Sequence, residues 1–287
     1  MSPADFFRSN GLLVDSPLAD GHWHRVATED HPKKRNGAYL LDGEKAICQN
    51  WATQSKAVSM RAERPTLTDE QRRRQARVKS ERQATQEKQW KEAAERARGL
   101  LASATVAQSG YLVRKGFEGA QGLLLPDGAL FVPMYSYPAY ELVGAQVIRW
   151  LVEERVWQKK FLPGCRAKGA VFRLGAARAP EIVLCEGLAT GMSIEAAARH
   201  CHLAMSVLVC FSAGNLVEVA TRLEPGRRAF VFADHDPGKA GQEAAEKTGL
   251  PWAMSDIEGE DANDLSARAG VLAVASKLLT LRRQITA

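Results

Sequence analysis

Two apolar runs in this chain stop abruptly at carboxylates. Val231-Phe232-Ala233 leads straight into Asp234-His235-Asp236 and then a Pro237-Gly238 turn. About fifty residues earlier, Ile182-Val183-Leu184-Cys185 leads into Glu186-Gly187 and a helix-like segment. Short continuous apolar runs bounded by turn signals fit buried strands. Acids that follow such strands lie at the carboxyl edge of a sheet, where α/β folds bind ligands. Three hard oxygen donors converging there suit Mg²⁺, and Mg²⁺ points to phosphate chemistry.

The surrounding pattern supports that placement. Strands are expected over 181–186, 206–211, 228–233 and 251–254, alternating with helices over 189–200, 215–223 and 239–248. This order argues for a parallel sheet with helices on both faces. Asp234 and Asp236, at i and i+2, share one side of an extended chain end and can hold one metal ion together, or each part of a two-metal site. Glu186 ends a neighbouring strand, close enough to move a proton or to complete a second site. A lone D-x-D is often a surface turn; two acid-terminated strands in a βαβ context weigh against that. A later acidic cluster runs from Glu258 to Asp264.

Upstream, residues 1–60 read as a small β-rich module of short apolar pieces between turns. Residues 61–99 read as a charged helical linker, starting after Pro65 at Thr66-Leu67-Thr68-Asp69-Glu70 and ending at Gly99, mostly solvated. Within it, Arg72, Arg73, Arg74 and Arg77 are either spacer charges or nucleic-acid contacts. Residues 100–178 read as an α+β subdomain with strand-like pieces at Ala129–Tyr135, Leu142–Trp150 and Val156–Phe161, and residues 179–287 as the α/β domain. The net charge of +6 weakly favours a polyanionic partner. The five scattered cysteines fit a reduced, cytoplasmic protein. No apolar run is long enough for a membrane span, and the first residues lack a secretory pattern.

E-G-L-A-T-G from Glu186 and A-D-H-D-P-G-K-A-G from Ala233 resemble a Toprim domain, the acidic α/β module of bacterial-type primases, topoisomerases and small nucleases. Phe211–Leu216 and Asp261–Leu265 resemble segments of the Toprim primases of phages and conjugative plasmids. The resemblance implies Glu186 as general acid/base and Asp234 and Asp236 as metal carboxylates. It implies Asp264, with Asn263, as an accessory acid near the metal, and Asn215 and Asn263 at nucleotide or template. Tyr111–Phe117, Leu142–Arg149 and Lys160–Gly164 resemble the core subdomain of the same primases. By matched position, Arg114, Lys115, Arg149, Lys159 and Lys160 would contact template and nucleotide phosphates; the alternative for each, the less favoured one, is an ordinary surface charge on a strand.

Residues 1–60 also resemble the N-terminal module of phage and plasmid primase-like proteins. There Trp23, Tyr39 and Trp51 could stack bases of single-stranded DNA, with Arg25, Lys33, Lys34 and Arg35 tracking the backbone, or they could form a small core. Bacterial replicative primases carry a zinc ribbon, and no C-x-x-C pair occurs here. His22, His24, His31 and Cys48 fit no common zinc spacing, so no zinc is expected. His235, between the two aspartates, points to the other side of the chain. No phosphate-binding G-x-x-x-x-G-K-[ST] motif is present, so a replicative helicase would act in trans.

The leading expectation is a primase: a metal-dependent nucleotidyltransferase that uses Mg²⁺ or Mn²⁺ to build RNA primers from ribonucleoside triphosphates on single-stranded DNA. A Toprim nuclease would keep the site and use water as nucleophile. A non-catalytic single-stranded-DNA-binding replication regulator would need no convergent acids. A topoisomerase would need a catalytic tyrosine on a separate domain.

Overall fold

The computed structural model describes residues 2–43, 45–54, 56–61 and 69–286. It divides into two compact units, Met1–Arg82 and Gln83–Ala287. The first opens with helix α1 (Pro3–Ser9), closed by a capping box in which the Ser2 hydroxyl accepts from the Asp5 amide. Strands β1 (Trp23–Val26), β2 (Gly37–Asp42), β3 (Lys45–Asn50) and β4 (Val58–Arg61) follow, forming an antiparallel sheet in sequential order. Phe6, Phe7 and Leu12 pack with Tyr39, Leu41 and Cys48 into a small core.

Helix α2 (Asp69–Ser103) is the predicted charged helix. The expected start at Pro65–Thr68 lies outside the described residues, as do the side chains of Arg72 and Arg74. The helix does not stop at Gly99, and its described side chains are mostly exposed, as expected, until its last turns. Ala93, Ala94 and Ala97 are buried. Leu100 and Leu101 join Ala97 against Leu125, Phe131 and Val147. Burial of these apolar residues outweighs the glycine penalty of roughly 1 kcal/mol.

The second unit continues with β5 (Thr105–Gln108), α3 (Gly110–Arg114), β6 (Gln121–Leu124), β7 (Leu130–Ser136), β8 (Leu142–Leu151), β9 (Val156–Phe161) and β10 (Ala170–Gly175). Then come β11 (Glu181–Cys185), α4 (Leu188–His200), β12 (Met205–Val209), α5 (Ala213–Ala220), β13 (Arg228–Phe232), α6 (Ala240–Thr248) and β14 (Trp252–Ala253). Helices α7 (Ala262–Ala269) and α8 (Val271–Thr286) close the chain. Strands β11, β12, β13 and β14 are mutually parallel, as the alternation predicts. β10, unanticipated from the sequence, adds antiparallel to β12 and also pairs with β7. One sheet thereby runs β14-β13-β11-β12-β10-β7-β6-β5, with β8 and β9 branching from β7, so it is mixed rather than purely parallel. The boundary expected at 178/179 falls inside this sheet.

The strand order places the site. From β11 the chain passes through α4 to β12 on one side, then returns through α5 to β13 on the other. Neighbouring connections leaving in opposite directions open a crevice at the carboxyl ends, the topological switch point. α4 packs with α8 on one face, around Ile194, Val207, Phe230 and Leu278. α5 and α6 cover the other face, around Leu184, Leu208, Leu216 and Ala245. At the opposite end, buried Glu181 pairs with Arg228 at 3.2 Å and Arg282 at 2.9 Å, tying α8 to the sheet. Among the described residues, no helix is long and apolar enough to cross a membrane.

Candidate metal and phosphate site

Glu186 follows β11 and Asp234 and Asp236 follow β13, so the three acids flank the switch point. Local geometry explains each position. The carbonyl of Glu186 accepts from the Phe211 amide at 2.8 Å, joining the loop ends after β11 and β12. Asp236 Oδ2 accepts from the Gly241 amide at 3.3 Å, at the first turn of α6. Gly241 permits this approach, since a Cβ there would lie 2.3 Å from the Asp234 carbonyl oxygen. His235 turns the other way: Nδ1 sits 2.9 Å from the Ser255 carbonyl, and its amide donates to the Glu260 carbonyl at 3.1 Å. It ties the 255–260 loop to the segment that carries the two aspartates.

The acids are strained electrostatically. Burial, the neighbouring Glu186, then Asp261 and Asp236 push the Asp234 carboxyl up to about 8, with Lys159 opposing. Burial first and Asp236 second raise Glu186, and the Ala213 amide at the start of α5 offsets part of this. Asp234 Oδ1 and Glu186 Oε1 are both buried without a hydrogen-bond partner. Buried oxygens are almost always satisfied, so two unpaired ones at the switch point fit a site for a cation. Among the described residues, no three His, Cys, Asp or Glu side chains form a ready metal cage. Mg²⁺ requires none: it binds through one or two carboxylates and completes its shell with water and substrate phosphates. The residues present therefore fit a divalent cation held chiefly by Asp234 and Asp236.

Asp261, not singled out from the sequence, is the acid of α7 that bears on Asp234. It is the N-cap of that helix: Oδ1 accepts from the amides of Asn263 at 2.7 Å and Asp264 at 2.9 Å. Oδ2 accepts from the Thr190 hydroxyl at 3.1 Å. The D-x-x-D capping box at 261–264 was the available signal. Asp264, expected near the metal, instead closes that box onto the Asp261 amide at 3.3 Å and faces Lys115 Nζ at 3.9 Å.

The two asparagines expected at nucleotide or template have structural duties. Asn215 Oδ1 accepts from the Gly169 amide at 2.6 Å, and Nδ2 donates to the carbonyls of Ala170 and Cys210, each at 2.7 Å. Asn263 is buried and donates to the Lys115 carbonyl at 2.9 Å and Ser193 Oγ at 3.2 Å. Both amides serve to clamp the β5–β10 region onto the α/β region, leaving little for a ligand.

The basic residues divide by strand register. Trp157, Lys159 and Phe161 alternate onto one face of β9. Trp157 packs edge-on to Tyr111, Lys159 Nζ lies 5.5 Å from that tyrosine ring, and Phe161 packs edge-on to Phe211 beside the acids. Lys159 thus faces the site. Lys160 belongs to the opposite face, as does Arg149, which opposes Gln158 and ion-pairs with Asp127. Arg149 and Lys160 therefore point away from the acids. Lys115, just after α3, reaches toward α7, and Arg114 is exposed.

In the first unit, Trp23 and Trp51 are exposed and the Arg25 guanidinium lies 4.1 Å over the Trp51 ring. Lys33, Lys34 and Arg35 are exposed in the turn before β2. Tyr39 is not available to stack a base: it is buried against Phe7, and its hydroxyl accepts from the Leu18 amide at 3.0 Å. His24 pairs with Asp20 and His31 with Asp30, each at 2.9 Å, while Cys48 is buried.

A switch-point crevice lined by Glu186, Asp234 and Asp236 defines an acidic α/β module, and the family model of the Toprim domain matches residues 181–271. That stretch is a Toprim domain, as the resemblance in its motifs implies. Two curated relatives, both DNA primase TraC from Escherichia coli, are 27% identical over 284 residues and 26% identical over 277 residues. These matches cover 86% and 85% of this chain, while the chain spans only 25% and 18% of those proteins. A crystal structure of the RNA polymerase domain of Mycobacterium tuberculosis primase DnaG, in complex with double-stranded DNA, is 19% identical. It covers 61% of this chain and 66% of its own, with a TM-score of 0.38. By sequence, the chain is distantly similar to the TraC primases over part of their length.

Proposed function

We propose that the chain is the catalytic part of a DNA primase, joining ribonucleotides on single-stranded DNA. The observation that carries this reading is a pair of orphaned buried carboxylate oxygens, on Glu186 and Asp234, at the switch point faced by Lys159. Asp234 and Asp236 would hold Mg²⁺ or Mn²⁺. When bound, the cation lowers the pKa of the attacking hydroxyl and neutralises charge on the leaving group. A primer 3′-hydroxyl forms a bond to the α-phosphorus of the incoming triphosphate, and the bond to pyrophosphate breaks. Glu186, whose pKa burial raises above the usual carboxylate range, is the group placed to accept the hydroxyl proton. Lys159 and Lys115, on the adjoining subdomain, position triphosphate oxygens as mobile point charges. Trp23, Arg25 and Trp51 offer stacking and backbone contacts to a single strand. The distant similarity to DNA primases across both halves of the chain favours synthesis over nuclease action.

The test is primer synthesis on single-stranded DNA with labelled ribonucleotides and Mg²⁺ or Mn²⁺, beside Asp234→Ala and Glu186→Ala. Short template-dependent products that vanish in both variants support the reading. Shortening of labelled DNA without synthesis would replace it with a nuclease. Salt-sensitive binding with neither activity would replace it with a regulatory module.

A further inference from the structure

The opposite edge of the same sheet holds a cavity of about 230 Å³. It opens beside the amino ends of β11 and β12, and its wall includes Ile182, Ser206, Tyr137 and three arginines: Arg173, Arg178 and Arg227. Glu224 is the acid in the lining. Among the described residues, no carboxylate pairs with any of the three. The Arg173 guanidinium lies 4.1 Å over the Tyr140 ring, and Arg227 donates through Nη2 to the Ala179 carbonyl at 3.0 Å. Their Nε atoms are both buried and without a hydrogen-bond partner. Arg178 stands exposed at the rim. Arginines elsewhere in this region are paired: Arg222 with Glu218 at 2.6 Å, and Arg228 and Arg282 with Glu181 at 3.2 and 2.9 Å.

Three guanidiniums around one small cavity repel one another, and buried donors left unpaired are costly. An oxyanion in the cavity relieves the repulsion, because the planar guanidinium fork matches phosphate oxygens. We propose that this cavity is a second anion site that takes a phosphate group between Arg173, Arg178 and Arg227. It lies at the edge opposite the one where α/β folds bind ligands. Four residue steps along β11 lead from Ile182 to Glu186, roughly 13 Å, so the two sites do not share one phosphate. The group can come from the backbone of a nucleic-acid strand or from a free polyphosphate, since the oxyanion chemistry is the same.

The test uses the full chain in EDTA, so that no divalent cation engages the acids and the outcome is independent of primer synthesis. Binding of inorganic tripolyphosphate is followed by calorimetry and binding of a short labelled oligothymidylate by anisotropy. Arg178→Glu and Arg173→Gln are compared with wild type and with Asp234→Asn. Tripolyphosphate affinity is expected to fall about tenfold in each arginine variant and to hold in Asp234→Asn. If a strand is the source, oligothymidylate affinity falls in parallel and its salt slope lessens by about one per lost contact. If free polyphosphate is the source, oligothymidylate affinity is unchanged. Arg178 makes no hydrogen bond or ion pair among the described residues, so its substitution leaves the fold intact, which melting verifies. Absence of tripolyphosphate binding in wild type, equal binding in Arg178→Glu, or loss of binding in Asp234→Asn overturns the proposal.

Discussion

Replacing Asp234 by Asn should make the metal-free protein less sensitive to alkali. The folded Asp234 carboxyl keeps its proton up to about pH 8, whereas an unfolded aspartate releases it near 3.8. Between those values the folded state binds the extra proton, so stability falls as pH rises. At 1.36 kcal/mol per pKa unit, moving from about pH 5 to about pH 8 costs the wild type roughly 3 to 4 kcal/mol through this group. For a unit of this size that corresponds to roughly 6–16 °C in melting temperature. The Asn side chain keeps the shape and carries no proton to lose. The assay is thermal melting of wild type and Asp234→Asn across that range in EDTA. The wild-type melting temperature should drop more steeply, with the curves diverging toward the alkaline end. Mg²⁺ added at about pH 8 should then stabilise the wild type, by about 2.7 kcal/mol at a hundredfold excess over Kd, and leave Asp234→Asn unmoved. Parallel pH slopes for the two proteins would refute the reasoning.

Glu186→Gln should lower the rate of primer formation by about 10²–10⁴-fold while retaining Mg²⁺-dependent stabilisation, measured by single-turnover synthesis and melting. Lys159→Ala should raise the apparent KM for ribonucleoside triphosphate, whereas Lys160→Ala, on the other face of β9, should leave it unchanged; equal effects would show that register does not divide them. Asn263→Ala should cost about 1–3 kcal/mol in urea unfolding by stranding the Lys115 carbonyl and Ser193, with Mg²⁺ affinity preserved.

The acidic centre was legible because buried parallel strands read as continuous apolar runs, and such runs cannot end in three carboxylates without consequence. The switch point that joins Glu186 to Asp234 needed strand order, which alternation alone does not supply. β10 escaped notice because its place is decided by pairing with β12 and β7, not by its own A-V-F-R-L-G pattern. The signal for α8 was present in Val271, Val274, Ala275, Leu278 and Leu281, which recur at helical spacing and pack on α4. Lys159 and Lys160 are indistinguishable as neighbours in a list and separate only when pleat and register are known. Asn215 and Asn263 sit within motif-like segments, yet their amides are consumed by backbone carbonyls that a sequence does not display.

Strand β10 also governs where this protein can be cut. A fragment trimmed to residues 181–271 would carry every acid of the switch point yet lose both β10 and α8. Strand β12, now paired on each side, would become a naked edge of unmatched amides and carbonyls, open to pairing with a second molecule. The apolar face of α4 now covered by Leu278 and Leu281 would be uncovered with it. A minimal excised module would therefore be expected to self-associate, and a soluble one must begin upstream of Ala170 and keep the final helix.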